Sequence, residues 1–212
     1  MPRAACILLL LALTACNAPP AIVPETAGAF DTALPLGPDA VWRGDVTACR
    51  TGDVPVEECL RTTMRDAEAT PAALAANARV ADRGDAGYIA AWRESDGVGI
   101  ATPEYPFRAN TNQGTWLVDA AGRVIDVDDD PLADVDTGRQ DLVAFRRAHP
   151  DASPVAPAQP DGSEALAGGG VRLLFVTPMR TCRACADVGT LRMGYDFDEA
   201  RRFSGRRVIG IE

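Results

Sequence analysis

Leu191-Arg192-Met193-Gly194-Tyr195-Asp196-Phe197 alternates without a break. Leu191, Met193, Tyr195 and Phe197 fall on one side, and Arg192, Gly194 and Asp196 on the other. Successive side chains of an extended strand point to opposite faces, so this pattern predicts a strand with one buried and one wet face. Upstream, residues 171–176 are apolar apart from Arg172, and downstream residues 207–211 again read as a strand. Residues 171–212 are therefore expected to form a C-terminal β-meander. Three strands are marginal alone, so the meander should pack on a second sheet.

The material for that sheet lies earlier. Residues 88–94 alternate, Ser95-Asp96-Gly97 is a turn signal, and residues 98–107 continue as a second strand. Residues 115–119 and 123–127, joined by Ala120-Ala121-Gly122, read as a hairpin. Two helices precede it. Residues 55–67 place Val56, Cys59, Leu60 and Met64 near one face, and Thr70 stands where a cap belongs, before Pro71 at the first position of an alanine-rich helix ending near Ala81. Thr137 is read as the cap of a further helix reaching residue 148, with Leu142, Val143 and Phe145 inward. Residues 149–170 carry four prolines and four glycines without periodicity and read as a linker or long loop. The expected fold class is α+β: an N-terminal helical pair with a mainly antiparallel sheet. The expected divisions are 40–148, the linker 149–170, and 171–212. A short echo suggests two related meander halves, since Pro106-Phe107-Arg108 followed by Gly114-Thr115-Trp116 resembles Pro178-Met179-Arg180 followed by Gly189-Thr190-Leu191.

The chain opens with Met1-Pro2-Arg3, an apolar run over residues 4–13, and Thr14-Ala15-Cys16. One positive charge, a short apolar run and a small-residue exit match a secretory signal. The run falls short of the ~20 residues that span a bilayer. Leu13-Thr14-Ala15-Cys16 resembles the lipobox of bacterial lipoprotein precursors. That resemblance covers residues 1–16 and implies cleavage before Cys16, a diacylglyceryl thioether on its sulfur and an acylated N-terminus. It makes residues 1–15 a signal peptide and residues 16–39, rich in Pro, Ala and Gly, a lipidated tether. The implied partner is the lipid bilayer, and the implied location is the cell envelope facing the periplasm. Asn17 in place of Asp favours the outer membrane by the same analogy.

Composition narrows the partners. All 21 basic residues are arginine, and the formal charge is −9. An acidic chain without a basic stripe does not suit nucleic acid, because phosphate contacts supply most of that affinity.

Once Cys6 and Cys16 are set aside, four cysteines remain: Cys49, Cys59, Cys182 and Cys185. In an oxidising compartment an even number points to two disulfides, and local pairing is the first expectation among three possible pairings. Cys182-Arg183-Ala184-Cys185, approached through an apolar strand, resembles a thioredoxin active site at first sight. A redox role would use a Cys182 thiolate favoured by Arg180 and Arg183. A thioredoxin motif opens a helix, however, whereas the residues following Cys185 alternate as a strand. A structural staple in a hairpin loop is the first reading, with thiol–disulfide chemistry as the alternative.

Residues 126–136 hold six carboxylates, and Asp126, Asp128 and Asp130 match the first three ligand positions of a calcium loop. Pro131 stands where that loop needs glycine, and Thr137 where it needs glutamate. Calcium binding stays a second alternative, and no cofactor is expected. The single histidine, His149, could form a dyad with Ser153 or Ser163, but no nucleophile-elbow motif is present. The polar loop holding Arg108, Asn110 and Asn112, with Trp116 nearby, is the expected place for a binding site. The leading functional expectation is a non-enzymatic, membrane-tethered envelope protein that binds or supports another envelope component.

Overall fold

A computed structural model describes residues 35–212. The expected signal peptide, Cys16 and most of the expected tether lie outside the described residues. Among the described residues the fold is α+β, with three α-helices and two antiparallel sheets. Helix α1 (Val56–Asp66) and helix α2 (Pro71–Ala81) form the N-terminal pair. Helix α2 begins as its sequence dictates: Pro71 opens it, and the Thr70 hydroxyl accepts the Ala73 N–H at 3.0 Å, satisfying a donor that has no partner inside the helix.

The first sheet follows chain order: β1 (Tyr88–Ser95), β2 (Val98–Glu104), β3 (Trp116–Val118) and β4 (Val124–Asp126). Strand β2 ends at Glu104 rather than at residue 107, because Tyr105 turns away and its N–H donates to the Asn112 carbonyl at 2.6 Å. Helix α3 (Gln140–Ala148) starts later than expected. Arg139, not Thr137, stands at its N-cap, and no side chain caps it there. Leu142 is buried, whereas Val143 is 42% exposed.

The second sheet corrects the linker reading. Strands β5 (Ser153–Pro154) and β6 (Gln159–Ala165) arise inside residues 149–170 and both pair with β7 (Val171–Arg180), which continues through β8 (Gly189–Phe197) to β9 (Phe203–Ile211). The sheet therefore has five strands where three were expected. Strand β6 escapes the pattern because every one of its residues is exposed, so no buried face imposes an alternation. The expected meanders are present in both sheets, as β2–β3–β4 and β7–β8–β9.

Alternation along the first sheet divides the interior. Leu117 of β3 joins Val98, Ile100 and Ile125 in a cluster with Phe175, Leu191, Met193, Tyr195 and Phe197 of the second sheet. Its neighbours Trp116 and Val118 point the other way, into a cluster with Ala76 and Val80 of α2. The first sheet is thus a middle layer, with helices on one face and the second sheet on the other. Each large apolar side chain so buried contributes about 1.5–3 kcal/mol.

Candidate functional site

The two sheets leave a cleft of about 1210 Å³ beside β4. Six segments build it: the stretch between α2 and β1 with Arg83 and Asp85, the loop between β2 and β3, the strand β4 with the acidic stretch that follows, the turn between β5 and β6 at Ala156, the loop between β7 and β8, and the start of β9. A smaller cavity of about 310 Å³ adjoins it, sharing Asp128, Ala156 and Arg183 with the main cleft and reaching Cys182.

Arg108 anchors the first loop. Its guanidinium grips the Asp85 carboxylate with Nε at 2.9 Å and Nη2 on the second oxygen, and lies 3.7 Å from the Tyr105 ring centroid. The bidentate bond from Arg108 holds the Asp85 carboxyl below its ordinary range. Burial pushes the Tyr105 phenol well above its ordinary value, and the Asp126 charge adds to that effect. Trp116, expected near the binding surface, is instead fully buried. Its Nε1 donates to Asp126 at 2.8 Å, and Arg83 covers its ring while approaching Asp126 at 3.6 Å. Trp116 therefore backs the cleft wall through Arg83 and Asp126 rather than lining it.

Asp128 occupies the junction of the two cavities. One of its carboxylate oxygens accepts the Thr115 N–H at 2.8 Å and the other the Ala158 N–H at 2.7 Å. Burial raises its pKa, opposed by those two backbone N–H donors. With both oxygens engaged, Asp128 ties β3 to the segment entering β6. Asp126 accepts the Asp128 N–H through its other oxygen, and Asp130 accepts the Leu132 N–H. Each of the three carboxylates of the calcium alternative thus accepts at least one backbone N–H, Asp130 through one oxygen only. Among the described residues no group of three or more His, Cys, Asp or Glu side chains is arranged to hold a metal ion.

The disulfides pair locally, as Cys49–Cys59 and Cys182–Cys185. The second sits in the loop between β7 and β8, and no helix follows it. Between its cysteines, Arg183 reaches across to the first loop, where Nη1 donates to the Thr111 hydroxyl at 2.5 Å. Arg180 supports this turn by donating to the Arg183 carbonyl at 3.1 Å and pairing with Asp187. The Arg108 loop and the CxxC loop, distant in sequence, therefore meet at one end of the cleft. Asn110 lines the cleft beside them, while Asn112 serves the loop through its carbonyl. His149 lies apart, packed on Phe145 at 4.9 Å, and no hydrogen bond joins it to Ser153 or Ser163.

Sequence reasoning missed the far end. Arg123, just before β4, stacks on Phe203 of β9 at 5.0 Å, and Arg206 of β9 stands opposite Tyr195 of β8, whose hydroxyl donates to the Val127 carbonyl at 3.3 Å. Neither carried a signal, since each is one more arginine near a turn or on a wet strand position. Among the described residues, Arg123, Arg183 and Arg206 form no ion pair, although Asp129, Asp130 and Asp134 line the same cleft. Comparison of the chain with protein-family models, curated proteins and solved structures finds no match.

Proposed function

We propose that the chain is a lipid-anchored envelope protein, held to the bilayer by acylated Cys16 and facing the periplasm, whose cleft binds another envelope component without chemistry. The observation that carries the binding role is the convergence of Arg123, Arg183 and Arg206, all without carboxylate partners, on one open cleft. Guanidinium groups held in place but unpaired suit recognition of a charged or polar partner. The main cleft's lining holds no Ser, His or Cys side chain, and each Asp128 oxygen accepts a backbone N–H that ties two chain segments together, a structural use of the carboxylate. The redox alternative draws on the exposure of Cys182, but the loop lacks the helix N-terminus that would stabilise a thiolate there.

Two measurements test this reading. In a bacterial host fed an alkyne-tagged fatty acid, the wild-type chain is expected to take up the tag and sediment with membranes, and Cys16→Ser to do neither. Tagging of Cys16→Ser would overturn the anchor. A photo-crosslinking residue at Asn110 is expected to form adducts with an envelope component, and one at Arg93, outside the cleft, to form none. Equal adducts from both positions, or none from Asn110, would overturn the binding site.

A further inference from the structure

A sheet edge exposes a row of unpaired N–H and C=O groups that any extended chain can pair with, so natural proteins blunt their edges. Three edges here are finished in that way. Outside β1, the Trp42 N–H donates to the Ile89 carbonyl at 2.9 Å and Val41 bridges Ile89. The later half of β9 lies against α3. Strand β6 carries Pro160 and a register break before Ser163, which spoil it as a template.

Strand β4 is different, because its outer edge lies inside the cleft. The ladder fixes which groups face outward. The Asp119 N–H donates to the Arg123 carbonyl and the Val127 N–H to the Thr115 carbonyl, so residues 123, 125 and 127 bond toward β3. Antiparallel pairs alternate, so Val124 and Asp126 turn their N–H and C=O groups away from β3. Among the described residues nothing hydrogen-bonds to these backbone groups. Arg206 shares a sheet face with its cross-strand partner Tyr195, which is buried toward the first sheet, so Arg206 and Phe203 form a floor beside the free edge.

We propose that the cleft takes an extended peptide segment of a partner protein, which adds to β4 as the next strand of the first sheet. This rests on the binding role above and specifies its partner. From Arg123 to Asp128 the edge runs roughly 16 Å, room for about five extended residues. In the added strand alternate side chains point at β9, where Arg206 lies, with Arg123 at one end and Arg183 at the other. Each guanidinium can take a carboxylate through two parallel bonds. Asp129, Asp130 and Asp134 line the same cleft and disfavour a uniformly acidic ligand. The segment that fits has acidic residues at alternate positions with neutral ones between. Main-chain bonds to Val124 and Asp126 supply affinity, and the arginines supply the choice of sequence.

The test uses the full chain in detergent micelles and the probe acetyl-Val-Glu-Val-Glu-Val-amide. On binding, hydrogen exchange at the Val124 and Asp126 amides should slow at least tenfold. A probe N-methylated at its central residue should bind at least tenfold more weakly, and Arg206→Ala should weaken the parent probe about fivefold. Val124→Pro removes an outward N–H while leaving the bonds to β3, and should abolish binding without loss of the native circular dichroism. If that variant unfolds, the N-methyl probe decides. Unchanged exchange at Val124 and Asp126, or equal binding of the N-methyl probe, overturns strand addition. Equal binding of the lysine-for-glutamate peptide overturns the charge preference. Adducts from Asn110 in a protein whose β4 amides ignore the probe would remove strand addition and keep the binding role, whereas absence of both removes the role itself.

Discussion

Asp119 shows how a single side chain can hold two sheets together. Its Oδ1 accepts the N–H groups of Ala121 and Arg123, each at 2.9 Å, and its Oδ2 accepts the N–H of Phe203 at 3.0 Å. The carboxylate is only 7% exposed. It shapes the turn between β3 and β4 and ties that turn to the start of β9, which also fixes Arg123 and Phe203 at the end of the cleft. A donor stranded in the interior costs about 1–3 kcal/mol, so Asp119→Ala should lose about 3 kcal/mol in urea unfolding. Asp119→Asn, which keeps an oxygen acceptor, should lose less; equal losses would show that the three bonds are not the cause. Asp85 gives a pH-dependent counterpart. The Arg108 bond lowers its folded-state pKa below the usual 3.8, so the folded state holds its proton less tightly than the unfolded chain. The stability from this pair is fully present above about pH 4 and is lost as pH falls through the lowered value. Asp85→Asn should therefore flatten the acid limb of a plot of melting temperature against pH, leaving a constant offset above pH 5. A parallel acid limb in the variant would dismiss the pair as the cause.

At the scale of elements, legibility followed burial. Strand β8 was readable because its face toward the first sheet is deeply buried, and α2 because a cap and a proline mark its start. Strand β6 was not, because its residues are all exposed and its place comes from pairing with β7 alone. Helix α3 was misplaced because Thr137 has the chemistry of a cap, yet the helix begins beyond it. The cleft was half legible. Arg108, Asn110 and the acidic run stand out in sequence, whereas Arg123 and Arg206 matter only because β4 and β9 come together. Local disulfide pairing could be expected from spacing, and spacing also ranks the two bonds. Cys49–Cys59 spans 10 residues and fastens the 3-10 turn at Thr47–Arg50 to α1, while Cys182–Cys185 spans 3. Loop-closure entropy assigns about 2.7 kcal/mol to the longer link and about 1.6 kcal/mol to the shorter. Replacing Cys49 and Cys59 by alanine should thus lower the urea midpoint about one and a half times as far as replacing Cys182 and Cys185. The reverse order would mean that the CxxC loop stabilises more than its own span.

The whole molecule can be interrogated through its tyrosines, of which there are three. Each belongs to a different apolar cluster: Tyr88 beside α1 with Trp42, Tyr105 between α2 and the first sheet, and Tyr195 between the sheets. Burial raises all three phenols, Tyr88 to about 12 with the Glu104 charge contributing, and the other two further. Unfolded tyrosine ionises near 10. Between pH 10 and 12 the folded state therefore binds more protons than the unfolded chain, and stability must fall as pH rises. With three protons released on unfolding, the slope approaches about 4 kcal/mol per pH unit. The clusters are not independent, since β3 sends Leu117 into one and Trp116 and Val118 into another, so the first sheet cannot leave one layer intact while abandoning its neighbour. Absorbance at 295 nm should stay flat through pH 10 and then rise in one step for all three tyrosinates, coincident with loss of circular dichroism. A single tyrosine titrating near pH 10 in a folded protein would mean its cluster is open to water. Separate steps would mean that the helical layer and the paired sheets come apart independently, and the cleft would then lose the wall that Arg83 and Asp85 supply from the segment after α2.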